Sequence, residues 1–180
     1  MLRSASNLSK QGDGLSRDHD NFADWLAPHL PMLHRTARAF AEAPDQHDLL
    51  QELTLALWRA RPSFRSESAT GTFAHRVAHN AALTWKRGEV RRRLRGVTVE
   101  AELLVRDTGE DPQGPLLERL YAAIRTLPPV ERSLVLLSLD GVPYAEIARL
   151  HGLSESNVGA RLTRLRQRLS TLVKEDADGL

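Results

Sequence analysis

The spacing of the apolar residues constrains the fold of this chain more than any other feature of its sequence. In the C-terminal part, Val158, Leu162, Leu165, Leu169 and Leu172 follow one another at steps of three and four, which places them on one face of an α-helix. Segments with the same spacing recur along the chain. The apolar residues are mostly Leu and Ala, and aromatic residues make up only 5% of the chain, which favours packed helices over a sheet. We therefore predict an all-α protein.

The N-terminal half contains three of these helical segments. The first covers residues 22–40 and includes two prolines near its start, which predict a kink there. The second begins at Pro44 and ends at Pro62, since proline suits the first turn of a helix and stops one that precedes it. The third covers about residues 72–87 and could continue into the arginine-rich residues that follow. Its predicted apolar face consists of Phe73, Val77, Ala81 and Trp85.

A change of composition divides the chain into two parts. Between Gly96 and Pro115 the helical spacing gives way to Gly, Pro and acidic residues, which is typical of a flexible linker. The helical spacing then resumes, with boundaries at Pro128, Pro129, Gly141, Pro143, Gly152 and the predicted N-cap Ser154. We therefore predict two small helical domains, residues 21–95 and 116–175, with a linker at residues 96–115 and a disordered tail at residues 1–20.

Arginine carries nearly all of the positive charge. Of 25 basic residues only Lys10, Lys86 and Lys174 are lysines, and the formal net charge is +2. Because the guanidinium group binds phosphates and guanine edges with two hydrogen bonds, this composition favours a nucleic-acid partner.

Composition also excludes several classes of protein. The absence of cysteine excludes disulfides and thiolate metal sites. No apolar run reaches the length of a membrane span, and residues 1–20 lack the apolar core of a signal peptide. We expect a cytosolic chain with no membrane insertion, no metal and no cofactor.

The stretch YAEIARLHGLSESNVGARLTRLRQRL has the pattern of a helix-turn-helix: a short helix, a turn that contains glycine, and a longer helix with polar and basic residues. At 100° per residue, Asn157, Arg161, Arg164 and Arg168 share a narrow sector beside the leucine face. The alternative is an ordinary solvated face, but the preceding helix and the capped turn favour DNA binding. The predicted DNA-binding residues are Ser154, Glu155, Ser156, Asn157, Ala160, Arg161, Arg164 and Arg168.

A second basic feature follows Trp85. Only Glu89 opposes a run of cations that comprises Lys86, Arg87, Arg91, Arg92, Arg93 and Arg95. An aromatic side chain beside cations can stack on an unpaired base, so the run could bind a nucleic-acid strand. The alternative is a solvated helix end, whose cations favour the negative end of the helix dipole, with Trp85 in the core.

Two separate stretches resemble the extracytoplasmic function group of sigma factors, in the sigma-seventy superfamily. DLLQELTLALWRARPSFR and FAHRVAHNAALTWKR resemble region two of that family. LYAAIRTLPPVERSLVLLSLDGVPYAEIARLHGLSESNVGARLTRLRQRL resembles region four. The order, the spacing and the position of the linker also agree. The resemblance implies a non-enzymatic transcription initiation factor that binds core RNA polymerase through the clamp coiled coil and the flap, recognises promoter DNA, and is held by an anti-sigma factor. It implies a monomer when free.

The resemblance also assigns roles to particular residues. Asp48, Gln51 and Glu52 match the acidic surface that binds the clamp coiled coil. The loop at residues 66–72 and Asn80 match the part of region two that captures a flipped base of the minus-ten element. The complete set of residues matched to minus-ten binding is Arg76, Asn80, Trp85, Lys86, Arg87 and Arg91. The helix from Ser154 to Arg168 matches the reader of the minus-thirty-five element, and the linker matches the segment that runs towards the RNA exit path.

Three positions depart from the family pattern. Phe73 stands where the family commonly has Trp, His79 where an arginine is often found, and His47 where an acidic residue is frequent. The first two lie near the predicted base pocket. The third lies beside the predicted clamp contact.

Two other classes of protein would account for parts of the sequence. A dimeric helix-turn-helix regulator would account for the second half of the chain only. An enzyme is suggested by His75 and His79, which lie four residues apart as metal ligands do. However, Arg76 stands where a zinc protease has its catalytic Glu, and the sequence indicates no third ligand. We therefore predict no metal site and no catalytic residues.

Overall fold

The computed structural model describes residues 22–64, 70–94 and 114–178. Within these ranges the chain forms α-helices and short 3₁₀ turns, with no strand, so the predicted all-α class is confirmed. The predicted tail and nearly all of the predicted linker lie outside the described residues, as does most of the predicted base-capture loop.

The N-terminal compact unit ends at Pro31. Its described part consists of a helical turn at residues 22–26 and the 3₁₀ turn Ala27–His29. The ring of Phe22 stacks on Trp25 with centroids 5.9 Å apart, and Trp25 meets His29 edge-on at 5.2 Å. The 3₁₀ turn contains Pro28 and interrupts the α-helical conformation near the start of the segment, where the sequence predicts a kink.

The second compact unit begins at Met32. Its first part contains helix α1 (Leu30–Phe40) from Met32 onward, α2 (Gln46–Ala60) and α3 (Thr70–Leu94). On α2, Leu49, Leu53 and Leu57 are completely buried, as their spacing predicts, and α2 packs along α3. The 3₁₀ turns Ala43–Asp45 and Arg61–Ser63 flank α2, each with a proline at its start.

Helix α3 departs from its prediction in two ways. It starts at Thr70, earlier than predicted, and runs to Leu94 into the arginine-rich segment, as the sequence allowed. The prediction of the buried face of α3 was wrong, because it was centred on the wrong residues. Phe73 is buried, but the other fully buried apolar side chains are Ala74, Ala78 and Ala82. The buried face is therefore rotated by about one residue, because alanines let α3 lie close to its neighbours.

Helices α4 (Gly114–Arg125), α5 (Pro129–Leu139), α6 (Tyr144–His151) and α7 (Glu155–Asp178) form the second part. Their core contains apolar residues from α5, α6 and α7, namely Leu134, Leu137, Ile147, Ala148, Val158 and Leu162. Helix α5 is buried on most of its surface, including Arg132 and Ser133.

The predicted helix stops in the second part are confirmed by backbone geometry. Gly141 and Gly152 have φ angles of 74° and 64°, a left-handed conformation that favours glycine. Ser154 caps α7, since its hydroxyl accepts a hydrogen bond from the amide of Asn157 at 3.2 Å. Among the described helices, none is long and apolar enough to cross a membrane.

Candidate nucleic-acid interface

Helices α6 and α7, joined by the turn at Gly152, have the arrangement of a helix-turn-helix. Val158, Leu162, Leu165 and Leu169 bury one face of α7. The opposite face carries the predicted DNA-binding residues. All of them are exposed except Arg161, which is half-buried. The structure thus brings the predicted residues together on one surface.

Two arginines on that surface are held by their own helix. Arg161 Nε donates to Asn157 Oδ1 at 2.9 Å, and Arg164 Nε donates to the carbonyl of Ala160 at 3.3 Å. Both bonds use Nε and leave out the terminal nitrogens of each guanidinium, from which a base edge or a phosphate could accept hydrogen bonds.

Arg166 has a different role, which the sequence did not indicate. Its Nη2 donates to Ser138 Oγ at 3.0 Å and to the Tyr144 hydroxyl at 3.2 Å. These bonds tie α7 to α5 and α6. Arg166 therefore stabilises the orientation of the reading helix.

The second group of predicted residues lies along α3. Arg76 and Asn80 are exposed, and the Arg76 guanidinium lies 5.7 Å from the centre of the Phe73 ring. Arg87 and Arg91 are also exposed. The structure describes neither the side chains of Arg92 and Arg93 nor Arg95.

Lys86 and Glu89 form an ion pair within this group. Lys86 Nζ lies 2.8 Å from Glu89 Oε2, and Glu89 is only 5% exposed. Glu89 thus belongs to the packed face of α3, and its carboxylate partly neutralises the charge of Lys86.

A groove of about 730 Å³ runs between α2 and α3, and Glu52, Arg59, Asn80, Trp85 and Arg91 line it. Trp85 is half-buried there. Its burial is therefore intermediate between that of a core residue and that of a fully exposed stacking residue. The groove brings a residue predicted to bind polymerase next to residues predicted to bind a DNA strand.

The predicted acidic surface lies on α2. Asp48, Gln51 and Glu52 are all exposed, on the side of the helix away from its buried leucines. The Gln51 amide nitrogen lies 2.8 Å from His47 Nε2. This bond fixes Gln51 on the surface between the two carboxylates.

His75 and His79 face other side chains of the chain. His75 Nε2 lies 3.3 Å from Asp140 Oδ2. The His79 ring lies edge-on to Phe40 and to His151, with centroids 6.1 and 5.4 Å away. Burial, and to a smaller extent the neighbouring His151, lowers the pKa of His79 from 6.5 to about 4. Across the described ranges, no three His, Cys, Asp or Glu side chains converge as metal ligands.

Comparison with known proteins places both halves of the chain in one family. The family model of sigma-70 region 2 matches residues 25–92, and that of sigma-70 region 4 matches residues 117–169. The ECF RNA polymerase sigma factor SigM of Mycobacterium tuberculosis H37Rv is 30% identical over 158 residues, which cover 87% of this chain and 79% of that protein. This chain is a sigma factor of the ECF group. The ECF RNA polymerase sigma-E factor of Escherichia coli K12 is 26% identical over 147 residues, with 75% and 77% covered.

Solved structures show the same fold for this sigma factor. The sigma factor RpoE from Bartonella quintana, in complex with the anti-sigma factor NepR, superposes with a TM-score of 0.63 at 23% identity, covering 86% of this chain and 97% of that one. CnrH, in complex with the cytosolic domain of CnrY, superposes with a TM-score of 0.58 at 22% identity, covering 88% and 90%.

Membership of the family decides between the classes that the sequence left open. A sigma factor is an initiation factor and not an enzyme, as predicted. The region 2 match covers the half of the chain that a stand-alone regulator would leave unexplained, so that alternative is not favoured.

Contacts that connect the two parts of this sigma factor involve chiefly Arg35, Arg132 and Asp140, and the sequence does not predict them. The available signals were weak. Arg132 is the one basic residue of the largely apolar helix α5, and Asp140 precedes the glycine of a turn. Neither signal names a partner.

Proposed function

We propose that this sigma factor binds core RNA polymerase in the cytoplasm, directs it to promoters and assists strand opening. One observation carries the proposal. A single chain presents an exposed acidic surface on α2, a basic and aromatic edge on α3, and an exposed reading face on α7, on segments that match regions 2 and 4. These three surfaces correspond to polymerase, an open DNA strand and duplex DNA.

The reading face of α7 is proposed to bind the major groove of the minus-thirty-five element. Ser154 to Asn157 lie at the helix N-terminus, which is the end that meets base edges in helix-turn-helix complexes. Arg161 lies one turn further along. Arg164 and Arg168 continue along the exposed side of the helix, where they are placed to contact phosphates.

The edge of α3 is proposed to bind the non-template strand of the minus-ten element. Asn80 can exchange hydrogen bonds with an extruded base, and the half-buried Trp85 offers part of its ring for stacking. Arg76, Arg87 and Arg91 would neutralise phosphates beside them. Capturing one base offsets the few kcal/mol that unstacking costs.

The acidic surface of α2 is proposed to bind the clamp coiled coil of core polymerase. Asp48 and Glu52 are one helical turn apart, so both carboxylates can face one basic helix. Gln51 lies between them, held by its bond to His47.

A second groove, of about 620 Å³, lies between α4, α5 and α7 and is lined mainly by apolar residues. This apolar groove is proposed to bind the polymerase flap. Leu116 and Leu139 are 51% and 59% exposed beside it. Arg166 and Lys174 also line it, so it suits an apolar helix with acidic flanks.

We also propose that an anti-sigma factor regulates this chain, which is a monomer when free. The structural neighbour RpoE is bound to the anti-sigma factor NepR, and CnrH is bound to the cytosolic domain of CnrY. A partner that covers the α2 surface or the apolar groove would compete directly with polymerase.

Run-off transcription tests the proposed function. Purified core polymerase is mixed with this protein and a pool of promoter fragments from its host. We expect discrete new transcripts that disappear with the variant Asp48→Ala/Glu52→Ala. The variant Asp24→Ala/Glu131→Ala, which removes two carboxylates elsewhere, should keep them.

The same proteins are tested for binding to core polymerase and to duplex DNA. Binding to duplex DNA with no transcripts and no binding to core polymerase would contradict the proposal and favour the stand-alone regulator. Loss of transcripts with both double variants would contradict the assignment of Asp48 and Glu52.

A further inference from the structure

The groove of about 730 Å³ between α2 and α3 contains two residues to which the proposed function gives no role. They are Arg59 on the α2 wall and Gly88 on the α3 wall. The α3 wall also contains Asn80, Trp85 and Arg91, which are proposed to bind the non-template strand. Arg59 and Gly88 therefore line the same space as the proposed strand-binding residues.

Gly88 lies at a position where the fold does not require glycine. It is inside α3, which continues to Leu94, and glycine is among the residues that least favour a helix. Its backbone is not left-handed, so no turn requires it. A Cβ at Gly88 would meet no heavy atom of another described element within 4 Å, so no neighbouring helix requires the missing side chain. The remaining use of such a glycine is to let a ligand approach the backbone closely.

Arg59 supplies a cation from the opposite wall of the groove. Its side chain is exposed, and among the described residues no carboxylate forms an ion pair with it. Glu52, the carboxylate of the same wall, is about two helical turns, or about 10 Å, away along α2. A guanidinium that no carboxylate neutralises can pair with a phosphate. The groove therefore has a phosphate-binding group on each wall, Arg59 on α2 and Arg91 on α3.

The chemistry of the lining indicates that the ligand is an unpaired nucleic-acid strand. Trp85 is half-buried and can stack on a base, and the exposed amide of Asn80 can exchange hydrogen bonds with a base edge. The bases of a duplex stack on one another and pair through those edges, so only an open strand can use these groups together. The bare backbone at Gly88 leaves room for the sugar–phosphate chain.

We propose that this groove holds the unpaired DNA strand between α2 and α3, with Arg59 paired to a phosphate and Gly88 in contact with the sugar–phosphate chain. The proposal rests on the function proposed above and adds two strand-binding residues to it. It also gives α2 two roles, because the helix that carries the surface for the clamp coiled coil then forms one wall of the strand path.

Fluorescence anisotropy of a labelled single strand tests the role of Arg59. The probe is a pool of fluorescein-labelled DNA strands of random sequence, each of about 12 nucleotides, titrated with the complete chain, alone and with core polymerase. Core polymerase by itself gives the background. We expect Arg59→Gln to weaken binding about fivefold and to lower the slope of log affinity against log salt concentration by about 0.7, the value for one phosphate contact on a single strand. Arg149→Gln, which removes an exposed cation of α6 outside the groove, is the matched control and should change neither quantity.

Two variants of Gly88 separate a contact with the strand from a structural role. Alanine and leucine favour a helix more than glycine does, so Gly88→Ala and Gly88→Leu should each raise the Tm by about 2–4 °C. Both should nevertheless weaken strand binding, by about threefold for alanine and more than about tenfold for leucine, because the new side chain fills space that the strand needs. Gly159→Ala, at a helical glycine outside the groove, should raise the Tm without weakening strand binding.

The proposal is overturned if the Arg59 and Gly88 variants bind the strand as the unchanged protein does, or if the unchanged protein binds no strand in either condition. Variants that lose affinity for core polymerase but not for the strand also overturn it, since the groove would then belong to the polymerase contact. Run-off transcription separates this proposal from the proposed function. Transcripts together with unchanged strand binding by the variants refute only the groove, whereas strand binding that depends on Arg59 and Gly88, without transcripts or core binding, refutes only the proposed function.

Discussion

Replacing Arg132 by methionine tests how much a single buried guanidinium contributes to the stability of this sigma factor. Arg132 is 8% exposed, and its hydrogen bonds end on three backbone carbonyls. Methionine keeps most of the aliphatic volume and removes the charge and all the donors. The variant therefore leaves the carbonyls of Leu127, Arg125 and Ala39 without this partner.

The magnitude follows from the two shorter hydrogen bonds, to Leu127 and Arg125. A hydrogen bond from a charged donor contributes about 1.5–3 kcal/mol, and the longer bond to Ala39 contributes less. Burial lowers the pKa of Arg132, which reports a desolvation cost that the methionine variant no longer bears. The net loss of unfolding free energy should be about 2–3 kcal/mol, or roughly 5–10 °C in Tm for a chain of this size.

Urea unfolding followed by circular dichroism measures this loss. Arg149→Met, at an exposed position of α6, is the matched control and should change stability by less than about 0.5 kcal/mol. Arg132→Lys keeps a charge but not the forked donor geometry, so its stability should lie between those of the unchanged protein and Arg132→Met. Equal stability of Arg132→Met and Arg149→Met would refute the reasoning.

Three further outcomes are expected, each measured by urea unfolding. Leu53→Ala, at a completely buried position, should lower the free energy of unfolding by about 3 kcal/mol, whereas Leu55→Ala, at a position 38% exposed, should lower it by less than about 1 kcal/mol. Similar losses for the two variants would contradict the assigned core face of α2. Gly159→Ala should raise the free energy of unfolding by about 0.5–1 kcal/mol, because alanine favours the helix more than glycine does and the new Cβ would lie at an ordinary contact distance, 3.6 Å, from a tyrosine ring. Gly152→Ala should lower it by about 1 kcal/mol, because the φ of 64° disfavours alanine. The pKa of His79 is lowered from 6.5 to about 4 in the folded protein, so the unfolded chain binds a proton at this site more readily. The free energy of unfolding should therefore be highest above about pH 6.5 and fall by up to about 3 kcal/mol as the pH falls to 4. The variant His79→Gln should lack this loss of stability at acid pH. If the unfolding free energy of His79→Gln depended on pH as that of the unchanged protein does, the assignment to His79 would be refuted.

The sequence by itself determined most of the helices and one candidate DNA-binding face. The spacing of Leu49, Leu53 and Leu57 gave the buried side of α2, since an apolar face at helical period must be covered by something. Gly152 and Ser154 marked the turn before α7 through local backbone chemistry. The polar face of α7 could be read in the same way, because residues three and four apart share a side of a helix whatever surrounds it.

The tertiary structure alone decided which faces meet. Periodicity did not show that α3 would bury its alanines or that Glu89 would belong to its packed face. It also could not join Asp140 to Arg35 and His75, or Arg132 to Ala39, because these partners are far apart in sequence and no local spacing encodes them. The surfaces proposed for DNA and polymerase were therefore accessible to sequence reasoning, whereas the contacts between the two parts arise only when the helices pack together.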